Sequence, residues 1–284
     1  MNPVAELKKQ AENVTEEIEH EARPWIIGMA RFGYVAKGVI YIVIGLLAFQ
    51  AALGQRDAQD DAKDALAQIA IQPLGRILLG ALTVGLFGYV LWKVVEAVFD
   101  PERKGNSLRG LFKRGAYLIS AIVYTGMAVT SFQVFAGIGG WQEEVGPDFW
   151  TARFLVQPFG RWLVVLAGLV VIGAGLFQFY LVITANFKGP LKSHRMNALE
   201  NLWALTTGRV GLTARGVILV TIGWFLVQAA LEFDPDQAGG TKEALAALAN
   251  TRFGPWILGA VAIGLVSYGI YTAFLSRFRQ IYGE

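Results

Sequence analysis

The chain has 284 residues, of which 54% are hydrophobic and only 17% are charged, against about a quarter charged in a typical soluble domain. It contains no cysteine, which excludes a disulfide framework, a thiolate metal site and a catalytic thiol. The net charge of +3 is small, so the distribution of charge along the chain is more informative than the total. We expect the lipid bilayer to be the main solvent, and we expect no nucleic-acid partner.

The first predicted element is an amphipathic helix over residues 1–24. Asn2 is a good helix N-cap, and Pro3 suits the first helical position. Apolar residues recur at intervals of three and four, while glutamates outnumber cations at the other positions. The segment lacks the basic start and short apolar run of a secretory signal peptide. It is expected to be cytoplasmic, either solvated or docked on basic loops of the same protein.

Most of the remaining chain is one two-helix unit that occurs three times. The apolar stretch at 31–52 recurs at shifts of 83 and 178 residues, so that Arg31 aligns with Arg114 and Arg209. Each copy has eighteen residues between this arginine and a glutamine, close to the roughly 20 residues that cross a bilayer core as a helix. A second apolar stretch follows each copy. The six predicted spans are 32–53 and 74–99, 115–136 and 159–184, and 210–231 and 256–277.

These units predict an all-α integral membrane protein with six transmembrane helices. An even number of spans in each unit makes the three two-helix repeats parallel, with a pseudo-threefold axis along the membrane normal. The predicted organisation is an N-terminal helix at 1–24, repeat 1 at 25–105, repeat 2 at 106–190 and repeat 3 at 191–284.

Four shorter helices are predicted outside the spans. The three outer linkers contain segments with the apolar spacing of a short helix, at 62–72, 148–157 and 241–251. On the inner side, residues 192–205 have the spacing of an interfacial helix and are assigned to repeat 3.

The orientation follows from the lysines and arginines. They concentrate before span one, between spans two and three, between spans four and five, and after span six, whereas the other three linkers are rich in acids. Because cytoplasmic loops carry the excess of cations, we expect both termini to be cytoplasmic in this multi-pass protein.

The three units open with RFGYVAKGVIYIVIG, RGAYLISAIVYTGMA and RVGLTARGVILVTIG. In these openings the chain after residue 24 resembles the bacterial membrane family catalogued as domain of unknown function 1206. The resemblance implies three copies of a two-span unit and a bacterial inner membrane. It implies no activity, substrate or catalytic residue.

The sequence lacks the motifs of soluble chemistry. His20 and His194 are the only histidines, and both fall in predicted cytoplasmic segments, so no histidine pair is placed to hold a haem or a metal within the bilayer. GxxxxGK[ST], GxSxG and HExxH motifs are absent. We expect no enzymatic activity, no cofactor and no metal site.

The candidate binding residues are cations near the inner end of the first helix of each repeat. Lys37 and Arg215 occupy the same repeat position, nearly two turns beyond the leading arginine, and Ser120 is their equivalent in repeat 2. Cations at this depth are costly unless they snorkel, pair or face water. Snorkelling to the headgroups is the commoner outcome; the alternative is a cationic vestibule that binds an anionic lipid or a small anion. The candidate set is Arg31, Lys37, Arg114, Arg209 and Arg215.

Glu96 is the one acidic residue within a predicted span. It stands one helical turn beyond Lys93, so a local ion pair is expected. A bridge to Lys37 is the alternative.

Two further patterns run along the first helix of each repeat. A stripe of small residues that includes Gly38 and Gly45 favours close helix packing over pore lining. On a different side of the same helices, a repeated glutamine is either a clasp to a neighbouring backbone or a constriction in a threefold pathway. This candidate polar rung consists of Gln50, Gln133 and Gln228.

Two classes of function remain open from the sequence. The first is a transporter or channel for a small solute or anion. The second is a non-transporting protein that binds membrane lipid or a membrane-protein partner.

Overall fold

The computed structural model describes residues 3–55, 66, 70, 75–99, 108–138, 147–188, 191 and 196–279. These residues form an all-helical bundle of eight α-helices, with two short 3-10 turns. The α-helices are α1 (Pro3–Ala52), α2 (Gly75–Val98), α3 (Leu108–Ala136), α4 (Pro147–Leu155), α5 (Gly160–Ile183), α6 (Ala198–Glu232), α7 (Thr241–Ala249) and α8 (Gly254–Phe278).

Six of these helices are long and apolar enough to cross a bilayer, with mean hydropathies between 1.6 and 2.2. They confirm the all-α membrane class and the six predicted spans. The spanning segments are Ile27–Ala52 in α1, Lys113–Ala136 in α3, and the whole of α2, α5, α6 and α8.

Helix α1 joins the N-terminal segment to the first span. It begins at Pro3, as predicted, and runs for 50 residues, which is roughly 75 Å at 1.5 Å per residue. Pro24 lies inside it, where a proline removes one helical N–H donor. The predicted docking of residues 1–24 on basic loops involves side chains and loops that lie outside the described part of the chain. It therefore stays a prediction.

The short helices agree in part with the sequence. Helices α4 and α7 confirm the two predictions at 148–157 and 241–251, whereas 62–72 lies outside the described residues except for Leu66 and Ala70. The helix predicted at 192–205 is confirmed from Ala198 onward, where it forms the first turns of α6. Its interfacial position stays a prediction.

A capping box explains why α6 begins where it does. The side chain of Asn197 accepts a hydrogen bond from the Glu200 backbone N–H at 2.8 Å, and the Glu200 carboxylate accepts one from the Asn197 N–H at 3.0 Å. Two otherwise unpaired donors at the helix start are thereby satisfied. The helix then continues without interruption into the span.

The six spanning helices pack in a regular order. The first helix of each repeat packs most closely on the second helix of the preceding repeat: α3 on α2, α6 on α5 and, closing the order, α1 on α8. Within a repeat, α1 packs on α2 and α6 packs on α8. In the described part of the chain α3 and α5, the two helices of repeat 2, lack such packing. The pseudo-threefold axis stays a prediction.

Glycines bring the closest helix pairs into backbone contact. A Cβ atom at Gly38 would lie 2.8 Å from the carbonyl oxygen of Gly269, so α1 and α8 touch through their backbones. At Gly223 in α6 a Cβ atom would lie 2.7 Å from the carbonyl oxygen of Gly168 in α5. Small residues allow this approach in lipid, which confirms that the predicted stripe serves packing.

A second set of contacts holds together the two helices of repeats 1 and 3. A Cβ atom at Gly33 would lie 2.6 Å from the Tyr89 Cα, and one at Gly211 would lie 2.5 Å from the Tyr268 Cα. The two glycines are repeat-equivalent, and so are the two tyrosines. This contact places both tyrosines inside the bundle.

Candidate functional site

Lys37 lies inside the bundle. The residue is only 5% exposed, and its ammonium group donates a hydrogen bond to the Tyr89 hydroxyl at 3.1 Å. The faces of aromatic rings attract cations, so the surrounding rings stabilise the ammonium group. Snorkelling of Lys37 to the headgroups is therefore wrong. Four ring centroids lie 4.9–6.0 Å from its Nζ atom, those of Tyr41, Tyr89, Tyr124 and Tyr268.

Two more cations, Lys93 and Arg279, lie between Lys37 and the end of α8. The Nζ atom of Lys93 lies 5.4 Å from the centroid of the Tyr89 ring, which Lys37 also contacts. Lys93 is in turn 5.9 Å from the Tyr34 ring, and the Cζ atom of Arg279 is 5.2 Å from that same ring. Each neighbouring pair of cations thus shares one tyrosine.

Arg215 continues the series on the other side of Lys37. Its Cζ atom lies 5.2 Å from the centroid of Tyr268, the ring that lies 5.4 Å from the Lys37 ammonium group. The repeat-equivalent cations of α1 and α6 are thus brought to one aromatic ring. We refer to the four residues Arg279, Lys93, Lys37 and Arg215 as the cation chain.

Arg215 has unused hydrogen-bonding capacity. The residue is half-buried, and its buried Nε atom has no hydrogen-bond partner among the described residues. A guanidinium group carries five N–H donors, and a buried donor without an acceptor is costly. The Arg215 Nε–H group can therefore donate a hydrogen bond to an additional acceptor.

Among the described residues, the Glu96 carboxylate pairs with two members of the cation chain. Glu96 is 1% exposed and accepts hydrogen bonds from Lys93 and, at 2.5 Å, from the Nη2 atom of Arg279. The predicted pair with Lys93 is confirmed, whereas the alternative bridge to Lys37 does not form. The Arg279 partner lies 183 residues away in the chain.

Two cations of the chain lack a carboxylate partner among the described residues. Glu96 pairs with Lys93 and Arg279, whereas neither Lys37 nor Arg215 forms an ion pair there. Tyrosine faces stabilise cations, but they carry no formal negative charge.

The three leading arginines do not join this centre. Arg31 and Arg209 are exposed. Arg114 is half-buried, and its guanidinium group donates to the carbonyl oxygens of Ala97 at 2.6 Å and Val98 at 3.0 Å. These carbonyls end α2 and have no partner within the helix, so Arg114 caps α2. Of the candidate set, the structure brings Lys37 and Arg215 together.

The glutamine rung lies away from the centre. Gln50 and Gln133 are exposed, and Gln228 is half-buried. The Gln228 amide donates to the Glu232 carboxylate one turn further along α6, at 3.2 Å. This placement does not support a constriction formed by the three amides.

The sequence profile of the family described as Domain of Unknown Function (DUF1206) matches three times, at residues 32–100, 115–185 and 210–279. The chain belongs to the DUF1206 family. The three matches confirm the three repeats. The chain is 40% identical over 269 residues to the uncharacterized protein YxxB of Bacillus subtilis (strain 168), across 94% of this chain and 96% of that protein. No solved structure matches the chain.

Sequence reasoning missed part of the centre of this DUF1206 protein. The tyrosines carried a signal, because Tyr34 and Tyr41 share a helix face with Lys37, and Tyr89 and Tyr268 are repeat-equivalent. Neither pattern alone indicated rings around a cation.

Arg279 carried no local signal for a role in the site. It follows the end of α8 and belongs with the cations from which the sequence predicts the orientation. The packing of α1 on both α2 and α8 brings it to Tyr34 and Glu96.

Proposed function

We propose that this DUF1206 protein binds an anionic group at the cation chain and carries a small anion across the membrane, as a transporter or channel. The observation that supports this is a pair of cations inside the bundle, Lys37 and Arg215, that contact one tyrosine ring and form no ion pair with a carboxylate among the described residues. Ionisable residues inside spans are rare and mark substrate or ion pathways. An anion would supply both the missing charge and acceptors for Arg215.

A second candidate function is lipid binding without transport. It is favoured by the unpacked helices of repeat 2, which expose apolar side chains such as Val170 and Phe177. A site that is reached from the acyl region of the bilayer suits an amphiphile better than a free ion.

Inorganic phosphate is a suitable probe for the anion site. We expect phosphate to raise the melting temperature of the detergent-purified protein, because a ligand at roughly tenfold its Kd adds about 1.4 kcal/mol to stability. The Lys37→Gln, Arg215→Gln double variant is expected to lose this shift. Intrinsic tryptophan fluorescence during heating measures it, since the chain has eight tryptophans.

The matched control is the Arg31→Gln, Arg209→Gln double variant. It removes two repeat-equivalent cations from the same two helices, but both are exposed, and we expect it to keep the phosphate shift. A full phosphate shift in the Lys37 and Arg215 variant would contradict the site. Phosphate efflux from proteoliposomes then separates the two functions: efflux above protein-free vesicles supports transport, and binding without efflux supports the lipid-binding alternative.

We also infer a bacterial inner-membrane location with both termini in the cytoplasm. The support is the concentration of lysine and arginine on one side of the spans. In this orientation the cation chain lies towards the cytoplasmic face, because α1 enters there and both α2 and α8 end there.

Topology reporters test this orientation directly. Fusions after Gly105, Gly140, Gly189 and Gly239 are expected to report inside, outside, inside and outside, because these positions alternate between cation-rich and cation-poor linkers. Reporters active in opposite compartments supply the internal control at each site. Any other order would reject the orientation.

A further inference from the structure

The two helices of repeat 2 are separated where those of the other repeats pack. The glycine and tyrosine that meet in repeats 1 and 3 are replaced by Ala116 in α3 and Ala174 in α5, and both alanines are exposed. Gly115 and Gly173, which adjoin them, have no heavy atom within 4 Å of a Cβ position. The face that is closed in two repeats is therefore open in the third.

Larger side chains explain why this face stays open. In repeat 1 the α1 and α2 backbones approach at Ala36 and Gly85, where a Cβ atom at Gly85 would lie 2.6 Å from the Ala36 Cβ. The equivalents in repeat 2 are Ile119 and Val170, which are 55% and 51% exposed. A β-branched pair at this crossing prevents the same approach, since helices in lipid pack closely through small residues.

The opening adjoins the cation chain. Helix α3, on one side, places the Tyr117 ring 4.7 Å from the Lys93 ammonium group and the Tyr124 ring 4.9 Å from that of Lys37. Helix α5, on the other side, packs on α6, which carries Arg215. At the α5 position equivalent to Tyr89 and Tyr268 there is only Ala174. The tyrosine side chains around Lys37 therefore do not enclose it on the side of the opening.

The surroundings of the opening decide what can enter it. Both flanking helices are spanning segments, so the opening faces the acyl region of the bilayer, where a free inorganic anion is strongly disfavoured. An anionic phospholipid combines acyl chains with a charged phosphate. Lys37 lies six residues beyond Arg31, or about 9 Å further along the helix.

We propose that an anionic phospholipid enters between α3 and α5 and places its phosphate on Lys37 and Arg215. Its acyl chains lie along the exposed apolar faces of the two helices, and its phosphate supplies the acceptors that Arg215 lacks. This assignment rests on the anion site of the proposed function and favours its second candidate, lipid binding.

The test combines two probes on the full chain in detergent. Native mass spectrometry measures binding of phosphatidylglycerol, with zwitterionic phosphatidylcholine as the neutral comparison, and the phosphate melting shift measures the anion site alone. Ala174→Trp fills the opening and leaves the cation chain unchanged. Ile263→Trp places the same side chain at an exposed position of α8 and serves as the control.

We expect the unmodified protein to bind phosphatidylglycerol roughly tenfold or more tightly than phosphatidylcholine. Both lipids carry the phosphate, but the choline ammonium group brings an additional positive charge towards the cation chain. Ala174→Trp should remove this preference and keep the phosphate shift, whereas Ile263→Trp should keep both. The Lys37→Gln, Arg215→Gln variant should lose both.

The two proposals fail differently. Unchanged phosphatidylglycerol binding in Ala174→Trp, or equal binding of the two lipids, would overturn the lipid assignment. If phosphate still raised the melting temperature in that case, the anion site would stand. If the unmodified protein showed neither a preference for phosphatidylglycerol nor a phosphate melting shift, the anion site itself would be overturned.

Discussion

Glu96→Gln is expected to lower the free energy of unfolding by about 3–5 kcal/mol, the usual effect of removing one partner from a buried ion pair. Glu96 is 1% exposed and accepts from both Lys93 and Arg279. The neutral amide would remove the negative charge that pairs with both cations inside the bundle. Part of their desolvation would then no longer be offset by this ion pair.

Thermal unfolding followed by tryptophan fluorescence measures this effect. Glu232→Gln is the control, because that carboxylate is exposed and accepts from glutamine amides, so we expect a change of at most about 1 kcal/mol. The Lys93→Gln, Glu96→Gln double variant should be more stable than Glu96→Gln alone, since it also removes one of the two cations that the Glu96 carboxylate pairs with. A Glu96→Gln protein as stable as the Glu232→Gln control would show that the carboxylate does not neutralise the centre.

The parts of the structure that the sequence predicts are local or periodic. Spans are defined by apolar stretches long enough to cross the bilayer, and the Lys93–Glu96 pair follows from one helical turn. The stripe containing Gly38 and Gly45 indicated packing because small residues at helical spacing have few other uses in lipid. Each of these features depends on neighbours within one helix.

The parts that were missed depend on contacts between helices. Whether Lys37 snorkels or stays inside is decided by the tyrosine rings that α2, α3 and α8 bring to it, and no pattern in α1 shows them. The bond between Arg279 and Glu96 joins residues 183 positions apart. Position in the repeat was also an incomplete guide to role: Arg31 and Arg209 are exposed, whereas their equivalent Arg114 caps α2.

Repeat 2 shows how substitutions at a few positions alter one unit of a repeated fold. Its equivalents of Ala36 and Gly85 are Ile119 and Val170, and these bulkier residues are exposed where the smaller ones are buried. The unit keeps its packing on neighbouring repeats, α3 on α2 and α5 on α6. At the second of these contacts Gly168 and Gly175 meet the α6 backbone. The contact between the two helices of the unit, next to the cation chain, is the one that differs from the other repeats.

Gly38→Ala is expected to lower the free energy of unfolding by about 1–3 kcal/mol, the usual effect of overpacking a close contact. A Cβ atom at this position would lie 2.8 Å from the Gly269 carbonyl oxygen and 2.8 Å from the Thr272 hydroxyl. The first of these is backbone, so α1 and α8 must separate to admit the methyl group. Because Lys37 is the preceding residue and Tyr268 lies on α8, the same separation should weaken anion binding at the cation chain.

Gly126→Ala provides the matched control for this substitution. Gly126 is also within a spanning helix, but it is exposed and no heavy atom lies within 4 Å of its Cβ position. Alanine there should stabilise the protein by roughly 0.5–1 kcal/mol, because glycine is the poorer helix former. The two alanine variants should therefore shift the melting temperature in opposite directions. Equal shifts would mean that the backbone contact between α1 and α8 does not limit their approach, and that the position of Lys37 beside Tyr268 is set by other residues.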